Sequence, residues 1–123
     1  MLAVFIGGGI GSILRFATTL VAKHIFGTAI IGTFLVNLIG CFLIGYFYGI
    51  TATKITTLPQ ATKLLITVGF LGGLTTFSTF NFEVFTFIKD GKIISSLIYI
   101  LISCILGLLF TFIGFSSSTI KPL

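Results

Sequence analysis

Charged residues cut this chain into long apolar blocks. Only Arg15 carries a charge before Lys23, none does between Lys23 and Lys54 or between Lys63 and Glu83, and none does between Lys92 and Lys121. A hydrocarbon layer about 30 Å thick takes about 20 apolar residues of helix. The blocks therefore predict an all-α membrane protein, with spans at about residues 2–22, 28–50, 64–88 and 93–116 forming one four-helix transmembrane domain over residues 1–123. The polar stretch from Thr51 to Lys63 reads as a loop turning at Leu58-Pro59-Gln60, and Lys89 to Lys92 reads as a short turn around Gly91. The tail SSSTIKPL reads as frayed.

The third block breaks its own pattern. From Gly69 to Glu83 it runs GFLGGLTTFSTFNFE, placing Gly72, Gly73, Thr75, Thr76, Ser78 and Thr79 where a span is normally most hydrocarbon-like. Backbone amides cannot go unpaired in lipid, so irregular chain at that depth must be buried in protein or line a wet cavity. The Gly-Gly pair and the hydroxyl run predict a third helix broken near its centre. Such breaks free carbonyls and expose a half-helix N-terminus, the usual places where transporters and channels hold ions. Tight helix packing is the alternative, and it accounts for the glycines but not for the hydroxyls.

Other polar residues inside the spans fall on shared faces. Gly7 and Gly11 stand in GxxxG spacing and predict a close helix approach. Arg15 lies within the first span, either snorkelling to an interface or holding positive charge at the mouth of an aqueous vestibule. Thr33, Asn37, Gly40 and Cys41 share one face of the second span, where the Asn37 amide needs either a neighbouring helix or a wet path as its partner. Phe77 and Phe80 are three apart, as core or lipid-facing rings or as a pair of electropositive ring edges bordering an anion. Tyr99, Ser103, Gly107 and Thr111 follow one face of the fourth span, as a polar track or as interhelical hydrogen bonding.

Composition narrows the class. Apolar residues make up 56% and charged residues 7%, with mean hydropathy +1.27, far from a soluble domain. The N-terminus MLAVFIGGGIGSILRF has no basic leader or small-residue cleavage site, and reads as the first span itself. Cys41 and Cys104 read as small apolar residues within spans, and His24 as an interfacial residue with no second histidine to build a metal site. The net charge of +5 comes mostly from lysines at span ends, where they meet lipid headgroups; without a basic stripe it does not point to nucleic acid.

Four spans put Lys54, Lys63 and Lys121 on one side of the membrane and Lys23, Lys89 and Lys92 on the other. Orientation follows an excess of Lys and Arg in short cytoplasmic loops, and here the sides are level apart from Arg15. A unit that inserts both ways can form an antiparallel, dual-topology homodimer, in which one chain supplies both inverted halves.

Three motifs taken together, GGGIGSILRF, GTFLVNLIG and GFLGGLTTFSTFNFE, resemble the Fluc (CrcB) family of fluoride channels in order and spacing over nearly the whole chain. The resemblance implies a passive, fluoride-selective channel of the bacterial inner cell membrane, multi-pass and not an enzyme, that lowers cytoplasmic fluoride. It implies an antiparallel dimer with two pores and a structural Na+ at its centre. By motif, it implies that Asn37, Phe77, Phe80, Ser78, Thr79, Tyr99 and Ser103 line the fluoride path, with Arg15 at the vestibule and Glu83 as the acid closing the third motif. Gly72 and Thr75 would supply sodium-binding carbonyls, and Gly107 departs from the pattern where a hydroxyl would extend the track.

Three other readings compete with this one. A small multidrug exporter shares the four spans, but proton-coupled cation efflux needs a membrane-embedded acid and the first span has Arg15 and no carboxylate. A metal-dependent membrane transferase would need more acids than Glu83 and Asp90. A purely structural subunit would pass no ions.

Overall fold

A computed structural model describes residues 1–53 and 58–119. Lys54 and Lys121, two of the charges weighed for orientation, lie outside the described residues. The described chain is helical, with four stretches long and apolar enough to cross a membrane: Leu2–Phe26, Ile30–Ala52, Gln60–Lys89 and Ile93–Thr119.

Local chemistry sets the ends. Helix α1 (Leu2–Phe26) stops at Gly27, whose φ of 73° is a left-handed cap, and its amide donates to the Lys23 carbonyl at 3.0 Å. Lys23 and His24 sit in the last turn, where positive charge offsets the helix dipole. Helix α2 (Ile30–Thr53) follows at once, its first amide donating to Thr28 Oγ1 at 3.3 Å. Gly91, also at φ 73°, turns the chain between the third span and the last helix. There the amides of Gly91 and Lys92 close on the carbonyls of Ile88 and Phe87.

The third span is assembled from pieces. Pro59 starts α3 (Gln60–Leu64), a wide π-helical segment covers Leu65–Leu71, and α4 (Gly72–Leu74) adds one turn. Thr75 (φ −84°, ψ 154°) and Thr76 (φ −149°, ψ 117°) are then extended, and α5 (Phe77–Lys89) starts anew. The interruption thus falls at the start of the hydroxyl run, just after the Gly-Gly pair, and Gly72 keeps helical angles of −65° and −34°. β-branched threonines favour extended backbone, and their hydroxyls can take over amides that the helix gives up.

The glycines serve close approach instead. A Cβ on Gly7 would strike the Leu65 carbonyl, one on Gly11 the Phe70 carbonyl, and one on Gly73 the Gly8 carbonyl. Helix α1 and the third span therefore touch backbone to backbone, as the Gly7/Gly11 spacing predicts. A second seam joins α2 to α6 (Ile93–Thr119): Gly45 faces the Thr111 carbonyl and Gly114 faces the Phe42 carbonyl. Between the seams, Val36, Leu71 and Leu74 form a small core flanked by Leu43, Ile44 and Phe70. Outward faces carry exposed Phe5, Ile13, Leu108 and Phe112, which lipid would solvate.

Gly11→Val tests the first seam. The obstructing atoms are backbone and cannot swing aside, so a loss of at least about 1–3 kcal/mol is expected. Gly9→Val, facing open space within the chain, is the control and should change stability by less than about 0.5 kcal/mol. Equal thermal midpoints for the two variants in detergent would refute the seam.

Candidate functional site

The interruption in the third span is held from two sides. From α2, Asn37 accepts the Thr76 amide on Oδ1 at 2.8 Å and donates Nδ2 to the Thr76 carbonyl at 3.1 Å. An Asn side chain thereby replaces the backbone partners that Thr76 lost on leaving the helix. From α1, Arg15 Nε donates to the Gly73 carbonyl at 2.9 Å. Arg15 is therefore engaged with protein and half-buried.

Thr76 then caps α5. Its Oγ1 accepts the Thr79 amide at 3.2 Å and donates to Thr79 Oγ1 at 3.0 Å, with Ser78 Oγ 3.3 Å away. These side chains take the Thr76 and Thr79 amides that would otherwise close on the carbonyls of Gly72 and Thr75. Two backbone oxygens are left without their helical donors. They border an open cleft of about 370 Å³, lined also by Asn37, Gly40, Cys41 and Phe77.

Beyond the cap, the two phenylalanines differ in environment. Their ring centroids are 6.0 Å apart, yet Phe77 is 78% exposed while Phe80 is 9% exposed. Phe80 meets the Tyr99 ring edge-on at 5.0 Å, and Phe34 and Phe87 pack around the same tyrosine. The Tyr99 hydroxyl donates to Glu83 Oε2 at 2.7 Å, and Thr33 Oγ1, with Thr33 1% exposed, donates to Oε1 at 2.7 Å. Glu83 thus joins the second, third and fourth spans instead of merely ending a motif near an interface.

Further along α6, Ser103 Oγ is buried with no hydrogen-bond partner. A buried hydroxyl left unpaired is costly, and Ser103 lines neither of the clefts beside the interruption. Gly107 adds no donor: a Cβ there would come to 3.4 Å from Cys41 Sγ, and its carbonyl is taken by Thr111 Oγ1 at 3.0 Å. On the α1 side, a second cleft of about 300 Å³ is bordered by Ser12, Arg15, Thr19, Thr33, Thr76 and Thr79.

The site therefore gathers most of the residues singled out from sequence around one interrupted helix. Asn37, Gly72, Thr75 and Phe77 share the larger cleft, Arg15 and Thr79 share the smaller, and Phe80, Glu83 and Tyr99 form a contact cluster between them and α6. Ser78 is exposed beside the cap. Thr33 does not join Asn37 in the larger cleft but turns to Glu83. The Asn37–Thr76, Arg15–Gly73 and Thr33–Glu83 pairs escape sequence reading, because 39, 58 and 50 residues separate the partners.

Four apolar spans with an interrupted, hydroxyl-rich third span and clefts on both sides of it define a multi-pass membrane protein with a polar site inside its helix bundle. The chain belongs to the CrcB family: the family model described as "CrcB-like protein, Camphor Resistance (CrcB)" matches residues 2–115. It is 46% identical over 114 residues to a fluoride-specific ion channel FluC of Aquifex aeolicus, covering 92% of this chain and 91% of the relative. The channel of the same name from Serratia proteamaculans is 44% identical over 115 residues, covering 94% and 90%. That from Phocaeicola vulgatus is 41% identical over 116 residues, covering 93% of each.

Proposed function

We propose that this chain is a passive, fluoride-selective ion channel of the inner cell membrane that exports fluoride and performs no covalent chemistry. The observation that carries the reading is the set of neutral donors around the interruption, in a chain 46% identical to a protein named as a fluoride-specific channel. Fluoride is small and strongly hydrated, so a path for it must replace water with compact donors. Asn37 keeps one N–H free after its bonds to Thr76, Ser103 offers an unpaired hydroxyl, and Ser78 and Thr79 stand at the positive end of α5. The rings of Phe77 and Phe80 present electropositive edges that border an anion without holding it tightly. Arg15, on the smaller cleft, raises the local anion concentration at its mouth. Tyr99 and Glu83 hold each other beside Phe80, fixing the ring against which the ion passes.

The working unit in this reading is an antiparallel homodimer. Gly72 and Phe77 are exposed beside Asn37 in the larger cleft, and irregular backbone at membrane depth must be covered by protein or water. A second, inverted copy covers it and brings the two interruptions together.

Sodium fits the oxygens offered there. The cleft contains the Gly72 and Thr75 carbonyls without their helical donors and no carboxylate in its lining. Among the described residues no three His, Cys, Asp or Glu side chains converge. Neutral carbonyls suit a monovalent cation better than calcium or magnesium, which recruit acids. Gly72 and Thr75 of both copies would hold it, and the ion would supply positive charge that ties the copies together.

The test is efflux. Purified protein in liposomes should release fluoride down its gradient, read by a fluoride electrode, with neither ATP nor a proton gradient, and chloride far more slowly. Equal rates for the two halides would remove selectivity, and no flux at all would leave a structural subunit.

A further inference from the structure

We infer that Arg15 is a positioning residue for the interrupted helix, holding the peptide between Gly73 and Leu74 so that the neighbouring Gly72 and Thr75 carbonyls stay set for a cation. This rests on the sodium reading above and adds to it a role for a side chain otherwise understood only as vestibule charge.

The argument starts from the backbone. Gly72 and Gly73 are adjacent residues at the end of a helical turn, and glycine pairs lose more conformational freedom on being fixed than other residues. No amide closes on Gly73: its bond partner is Arg15 Nε, at 2.9 Å from a residue 58 positions earlier. Successive carbonyls in a helix differ by about 100° around the axis, as 3.6 residues per turn requires. The Gly73 oxygen thus turns to α1 while the Gly72 oxygen turns elsewhere. Gly72 is exposed, and a Cβ on it would meet nothing within 4 Å, whereas Gly73 lies against the Gly8 backbone. Pinning one peptide plane from the α1 side limits how far the next can rotate. On the other side Asn37 pins Thr76 in the same way, so the Thr75 carbonyl lies between two side-chain anchors and the Gly72 carbonyl directly precedes the first. The Arg15 bond is made by Nε, a nitrogen that lysine lacks.

Charge and positioning predict opposite signs. A guanidinium near a bound cation repels it, so if Arg15 acts only as charge, Arg15→Met should strengthen sodium binding. If Arg15 positions the carbonyls, both Arg15→Met, which has no donor, and the charge-preserving Arg15→Lys should weaken it. The experiment measures thermal unfolding of the full-length dimer against Na+ concentration, with N-methylglucamine keeping ionic strength constant. The Na+ midpoint in both variants should rise by about 10–100-fold, the usual loss when a residue supporting a metal ligand is removed. General destabilisation would lower the melting temperature at every Na+ concentration without moving that midpoint. Hydrogen exchange on the same samples should show faster exchange at the Thr76 and Thr79 amides in both variants, a readout that needs no sodium. Wild-type midpoints in the two variants, or a lower midpoint in Arg15→Met, overturn the role toward the cation. Unchanged exchange at Thr76 and Thr79 overturns the anchoring itself. A wild-type protein insensitive to sodium, with exchange accelerated in the variants, overturns the sodium reading while leaving the anchor in place.

Discussion

Asn37→Asp is expected to abolish fluoride flux while leaving the protein folded. The substitution replaces the Nδ2 donor by an oxygen facing the Thr76 carbonyl, which Nδ2 now meets at 3.1 Å. Two acceptors would then oppose each other, leaving a buried carbonyl unpaired at a cost of about 1–3 kcal/mol. The new carboxylate would also stand on an anion path, where like charge is weakly screened. A rise of about 2.7 kcal/mol in the barrier already slows passage about 100-fold, and at least that loss is expected. The glycine seams that hold the spans together do not involve Asn37, so thermal unfolding in detergent should report a folded chain. Asn37→Ser separates the two effects: it removes the anchor without adding charge and should slow flux less. Acidifying the Asn37→Asp sample should restore part of the flux, since a protonated carboxyl can again donate to the Thr76 carbonyl. A folded Asn37→Asp dimer conducting at the wild-type rate would place the path elsewhere.

Forcing one orientation should be nearly as damaging. Gln60 and Ala61 are exposed just after Pro59, and changing both to Lys adds two positive charges to one side of a chain whose lysines are balanced. Charge excess in short loops decides which side stays cytoplasmic, so a reporter fused to the C-terminus should switch from mixed to single-sided exposure. Copies that all point one way cannot form antiparallel pairs, and flux in cells should fall at least about tenfold, a gap of about 1.4 kcal/mol in pairing equilibrium. Co-expression with a copy carrying extra lysines in the Lys89–Lys92 turn should restore it. Full flux from the single-sided copy alone would exclude the inverted pair.

The spans were legible because charge is so costly in hydrocarbon that only nine Asp, Glu, Lys and Arg residues occur in the whole sequence, and all but Arg15 and Glu83 fall near the ends of the apolar blocks. The seam at Gly7 and Gly11 was legible because backbone contact needs small residues at helical spacing. The interruption was legible from the Gly-Gly pair and the hydroxyl run together, but not which of the two leaves the helix. Glycine permits irregular backbone but does not require it, and here Gly72 stays helical while the threonines leave the helix. Asn37 was legible as a residue in need of a partner, but not as the anchor of Thr76. Side-chain bonds across 39 residues follow from tertiary packing, which local pattern does not encode. Glu83 was read by its place at the end of a motif, and its bonds to Thr33 and Tyr99 depend in the same way on how the spans come together.

The order of the two glycine seams bears on how the protein is made. Helix α1 closes against the third span and α2 closes against α6, so neither seam joins consecutive spans. During synthesis the first seam has no second face until the third span has left the ribosome. The second waits for α6, the last span to emerge. Until then Gly45 and Gly49 of α2 face lipid or chaperone instead of the α6 backbone that they are shaped to meet. Long-range pairings of this kind form late and slowly. A nascent chain stalled before Ile93 is therefore an open half-bundle, exposed to membrane proteases for as long as the stall lasts.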